Sequence, residues 1–111
     1  MGIQNWSDDI ILVDLPPEPQ MGEELQSVTE MFRDRGDCNV ILDFSEVDIV
    51  TSSSLSKLLK LRKLCKDCGC KLILTAVAPA TRGIFTVTGI DGIFEVIEDK
   101  FTALAGLQLV N

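Results

Sequence analysis

The chain has no histidine and no tyrosine, and aromatic residues make up only 5% of it. Without histidine, Ser-His-Asp and Cys-His arrangements and every histidine-containing metal site are excluded. A hydrolase of the usual kind is therefore not expected. The chain is read as a non-enzyme that needs no cofactor. Few rings also mean an aliphatic core. At 46% hydrophobic residues in 111, one domain spanning 1–111 with a single modest core is expected. No apolar run approaches the ~20 residues that span a bilayer. Met1-Gly2-Ile3-Gln4-Asn5-Trp6 lacks the charged-then-apolar layout of a signal peptide, and Trp6 breaks the N-myristoylation pattern. A cytoplasmic protein without membrane insertion is the expectation.

Basic residues are scarce in the first half. Residues 1–50 carry twelve acids and two bases, whereas residues 51–75 carry six bases and one acid, within a formal net charge of −7. An acidic chain with one basic stripe is poorly suited to duplex nucleic acid. A protein partner with a local acidic surface suits it better.

The four cysteines are Cys38, Cys65, Cys68 and Cys70. Their C-x-x-C-x-C core raises a redox or metal reading. Packing is preferred, because Cys65 and Cys68 continue the apolar side of a helix that carries Leu55, Leu58 and Leu61, and free Cys behaves as a small hydrophobe.

Residues 3–6 and 10–15 read as short strands around a polar turn. Pro16-Pro17-Glu18-Pro19 makes a stiff loop. Helical spacing of Leu25, Val28, Met31 and Phe32 predicts a helix over 23–35, stopped by Gly36. A buried strand is expected at 40–44. The best-defined helix is 53–67, with Leu55, Leu58, Leu61 and Cys65 on one face, Leu59 and Leu64 widening it, and lysines opposite. Gly69 ends that helix in the left-handed conformation. Strands at 71–77 and 93–97, a short helix from Pro79 to about residue 88, and a last helical turn or two at 100–105 complete the order. Strands joined through helices favour parallel pairing with right-handed crossovers. The class is α/β, with a mixed sheet of four to five strands and about four helices.

Between the strand at 40–44 and the long helix stand Thr51, Ser52, Ser53 and Ser54. A helix start leaves backbone N–H groups without internal partners, so it welcomes an oxygen or an added phosphate. The hydroxyls can simply cap the helix, or they can be where another protein adds charge. Lys57 and Lys60 lie one and two turns on, and Leu64 borders the basic side. A partner covering Ser52 would touch them. Asp43 and Asp48 could be imagined as a catalytic carboxylate pair, but strand-end and turn roles are preferred.

From about residue 38 to 104 the chain resembles the STAS domain, the fold of bacterial anti-sigma factor antagonists. Ile41-Leu42-Asp43-Phe44, residues 47–50, Ser52-Ser53-x-Leu55, Leu72-Ile73-Leu74, Pro79-Ala80 with Phe85, the Thr88-Gly89-Ile90-Asp91 turn and Phe94-Glu95-Val96 carry the resemblance. The resemblance implies a partner switch. An anti-sigma factor that is also a serine kinase (a GHKL-type ATPase) binds the unmodified domain and releases the phosphorylated one. The family pattern Asp-Ser-Ser-Gly-Leu puts the acceptor on Ser52, with Ser53 and Thr51 as alternatives. Thr51 stands in place of the family's Asp, and Ser54 in place of its Gly. Partner-binding residues on this reading are Thr51, Ser52, Ser53, Ser54, Lys57, Lys60 and Leu64. Two other readings stay open: a STAS subunit bound constitutively to the ATPase of an ABC-type lipid transporter, and a thiol redox or metal protein built on Cys65, Cys68 and Cys70.

Overall fold

Three apolar runs become three parallel strands at the centre of one sheet: β2 (Ile10–Asp14), β3 (Asn39–Asp43) and β4 (Leu72–Thr75). The computed structural model describes residues 2–90 and 92–109. Met1 and Asp91, the latter the last residue of the turn in the family resemblance, therefore lie outside the described residues. On one edge β1 (Gly2–Ser7) pairs antiparallel with β2, and on the other β5 (Glu95–Ile97) runs parallel to β4. The spatial order follows the chain, β1 to β5. Parallel neighbours need crossover connections. These are the helices α1 (Gln20–Arg35), α2 (Ser52–Asp67) and α3 (Pro79–Val87), and α4 (Lys100–Leu109) follows β5.

Strand side chains alternate between two faces. Ile11, Val13, Val40, Leu42, Leu72 and Leu74 face the main core, where Met21, Leu25, Val28 and Phe32 of α1, Leu58 and Leu61 of α2, and Phe85 of α3 meet them. All three crossovers thus lie on one face, as crossovers of one hand moving steadily across a sheet require. Ile10, Leu12, Ile41 and Ile73 point the other way, and Ala103, Leu104 and Leu107 of α4 cover them. Because both faces are covered, the central strands are continuous apolar runs rather than alternating ones.

Several boundaries differ from expectation for physical reasons. α1 begins at Gln20 rather than residue 23, because the Met21 N–H reaches the Pro17 carbonyl and Met21 is fully buried. β5 is confined to Glu95–Ile97, since Phe94 turns into the core against Phe85, ring centroids 5.6 Å apart. α4 extends to Leu109, carried by Leu104 and Leu107 on the sheet. β4 ends at Thr75, where Ala76 takes a φ of 55° and donates its N–H to the Glu98 carbonyl. Gly36 and Gly69 stop α1 and α2 at φ of 72° and 73°, a region glycine enters without Cβ strain. Cys68 corrects the packing expectation: α2 closes at Asp67, so Cys68 falls in the turn and is exposed, while Cys65 is buried. No helix among the described residues is long and apolar enough to cross a membrane.

Candidate functional site

The connection from β3 to α2 is held at its root by Asp43. This carboxylate is 4% exposed, and it accepts from the Ser45 N–H and hydroxyl through Oδ1 and from the Thr75 hydroxyl through Oδ2 (2.9 Å). Backbone bonds from Phe44 N–H to the Thr75 carbonyl and from Leu15 N–H to the Asp43 carbonyl splice the ends of β2, β3 and β4 together. Asp43 therefore takes the strand-end role expected of it, and Asp48 is an exposed turn residue. Beyond the anchor, Val47 and Val50 are buried while Ile49 between them is 63% exposed. Two buried valines fix the path of the segment, and one isoleucine is left facing outward just before the hydroxyl run.

At the mouth of α2, Thr51 is the N-cap, its hydroxyl accepting from the Ser54 N–H at 3.1 Å. Its own N–H and hydroxyl both donate to one oxygen of Glu18, Oε2, at 2.9 and 3.0 Å. Glu18 comes from the proline-rich loop between β2 and α1. Ser52 and Ser53 are exposed, and neither hydroxyl bonds another described residue. Ser54, expected among the partner-binding residues, is only 1% exposed. It lies against α1, where a Cβ added at Gly22 would come within 3.3 Å of both Ser54 Oγ and Lys57 Nζ. The bare backbone of Gly22 makes room for the Ser54 side chain.

The lysine stripe divides as well. Lys60 is exposed and lies about 12 Å along the helix axis from Ser52, at 1.5 Å rise per residue. Lys57 is half-buried beside Gly22 of α1, and Leu64 is half-buried against the main core. Glu18 and Ile49 were not among the residues singled out in the sequence. Ile49 could have been found as an apolar residue out of phase with Val47 and Val50. Glu18 could not, because 33 residues separate it from Thr51.

Burial pushes the Glu18 carboxyl up, but hydrogen bonds from Ser54 and from the Thr51 amide and hydroxyl, with the Lys57 ammonium nearby, outweigh it and hold the group below the usual carboxylate range. A carboxylate whose folded pKa is depressed adds stability that is complete above its unfolded value and lost as pH falls through the folded one. Glu18→Gln should lower Tm by about 2–4 °C near neutral pH, as expected for a weakened cap of roughly 0.5–1 kcal/mol. The difference from the parent chain should hold near neutral pH and narrow only as acidification carries the pH below the ordinary carboxylate range, towards the depressed folded value. A Tm gap that did not narrow on acidification would show that the carboxylate charge is not its source.

The thiols gather at the opposite end of the sheet. Cys38 opens onto β3 and Cys70 onto β4, next to Cys65 near the end of α2. Burial, with the neighbouring thiols, pushes Cys65 up to about 12, and burial first raises Cys38 and Cys70 as well. Cys65 therefore stays a protonated thiol at neutral pH, the unreactive form. Among the described residues, no group of three or more His, Cys, Asp or Glu could hold a metal ion.

A family model described as the STAS domain matches residues 20–103. Over 86 residues the chain is 27% identical to BtrV of Bordetella bronchiseptica, a candidate anti-sigma factor antagonist; the match spans 78% of this chain and 74% of BtrV. Among solved structures, a variant of RsbS from Moorella thermoacetica superposes with a TM-score of 0.78 at 19% identity, covering 99% of this chain and 98% of that one. The Bacillus cell fate determinant SpoIIAA in its phosphorylated form superposes with a TM-score of 0.71 at 14% identity, covering 98% and 97%. At these identities the two structures report a shared fold.

Proposed function

The chain belongs to the STAS domain family, and from that premise we propose that it is an anti-sigma factor antagonist, a binding protein rather than an enzyme. Its partner on this reading is a kinase-type anti-sigma factor, and phosphorylation of Ser52 ends the association. The observation that carries the reading is the exposed, unbonded Ser52 hydroxyl at a helix mouth, three residues after the exposed Ile49. An apolar residue beside a modifiable hydroxyl gives a contact that can be made dry and then broken by charge. Lys60, exposed on the same helix, adds an electrostatic element suited to steering an acidic partner surface.

The relative named as an anti-sigma factor antagonist favours this reading over a constitutive transporter subunit. SpoIIAA, of the same fold, has been solved phosphorylated, so the architecture accommodates the modification in that protein. Within the folded domain a phosphate brings about −1.5 to −2 charges to the N-terminal end of α2, mildly favourable by roughly 0.3–1 kcal/mol. The fold therefore survives a mark that a docked partner does not tolerate.

The test is phosphate transfer. Incubation with ATP and each GHKL-type ATPase of the same genome should add the mass of one phosphate with one of them, and Ser52→Ala should abolish the gain. Transfer at an undiminished rate to Ser52→Ala, or none from any such ATPase, would refute the proposal.

A further inference from the structure

Of the four hydroxyls at the helix mouth, those of Ser52 and Ser53 are exposed and bond no other described residue. Ser54 is buried against Gly22. The Thr51 hydroxyl is engaged twice, as acceptor from the Ser54 N–H and as donor to Glu18 Oε2. A negative charge already stands there, supplied from the loop before α1 and bonded also to the Thr51 N–H. A second anion on Thr51 would lose the donor bond to Glu18 and meet its carboxylate at close range, where like charges oppose one another strongly. Ser52, one residue on, is exposed and free of both bonds.

We propose that Glu18 is a specificity-determining residue of this helix mouth, barring phosphate from Thr51 and leaving the exposed serines, Ser52 and Ser53, as the places where charge can be added. It acts through Thr51, so it is a positioning residue rather than a catalytic one. The same residue supplies from a distance a carboxylate of the kind that position 51 itself lacks. Ser54 and Gly22 extend the arrangement: a side chain at 54 is matched by its absence at 22, so α1 and α2 still approach closely. The proposal rests on the reading of this site as one that is phosphorylated, but its test needs no kinase.

Phosphothreonine encoded at position 51 and phosphoserine encoded at position 52 would each be placed in the full chain, with Glu18 intact and with Glu18→Gln. Thermal melting at low salt is the measurement. Phosphoserine at 52 should leave Tm within about 2 °C, whereas phosphothreonine at 51 should lower it by about 5 °C or more, a shift well resolved for a chain of this size. Glu18→Gln should lower Tm in the unmodified chain yet restore at least half of the loss caused by phosphate at 51. That reversal of sign is what charge opposition produces and a merely structural role does not. Equal melting of the two phosphorylated forms, or no restoration by Glu18→Gln, would overturn the proposal. Failure of phosphate transfer from every ATPase would sink the proposed function while leaving this result standing.

Discussion

Ser52→Asp should weaken association with the anti-sigma factor about a thousandfold while shifting Tm by no more than about 2 °C. The two numbers come from the same charge in two surroundings. In the free domain the carboxylate sits in water at the start of α2, where the exposed peptide N–H groups favour it slightly. Under a partner it would be stripped of water against a surface shaped for a neutral hydroxyl and for Ile49. A penalty of about 4 kcal/mol corresponds to the thousandfold loss. Calorimetric titration against the proposed anti-sigma factor partner, alongside a melting curve, measures both. Equal affinity of Ser52→Asp and the parent chain would show that the helix mouth lies outside the contact.

Asp43→Ala should lower stability by about 3 kcal/mol, which for a chain of this length is a fall in Tm of roughly 10–15 °C. Three donors converge on this carboxylate, and one of them, the Thr75 hydroxyl, is fully buried and would be left without its partner. Asp43→Asn keeps carbonyl acceptor capacity at the same place and should cost less than half as much. Chemical denaturation of the three chains separates these values. A loss below about 0.5 kcal/mol for Asp43→Ala would mean that the strand ends are held by the backbone splices alone. Because Asp43 also grips Ser45, its removal should loosen the segment that presents Ile49 and the serines. Partner affinity should therefore fall in Asp43→Ala even though residue 43 is itself buried.

Periodicity made the helices and central strands legible, while topology hid part of the site. Leu58, Leu61 and Cys65 recur on one side of α2 and are buried there, and Gly36 and Gly69 stop their helices by a local backbone rule. The same period places Ser54 one turn before Leu58, on the buried side, yet its hydroxyl suggested the surface. Cys68 was misplaced for the converse reason: the period continues to it, but the helix does not. The bond from Thr51 to Glu18 had no local sign. It exists because β2 and β3 are parallel neighbours whose ends come side by side, with Asp14 paired to Asp43. No window of sequence contains both residues.

The sheet's order, in which each strand lies beside the one made just before it, has a consequence for biogenesis. A chain emerging residue by residue can complete each strand pair and its covering helix in turn, without waiting for distant segments. The exception is the far side of the sheet. Ile10, Leu12, Ile41 and Ile73 form early and stay wet until Ala103, Leu104 and Leu107 arrive. During synthesis the nascent domain thus carries a bare oily flank until α4 is made and closes over it.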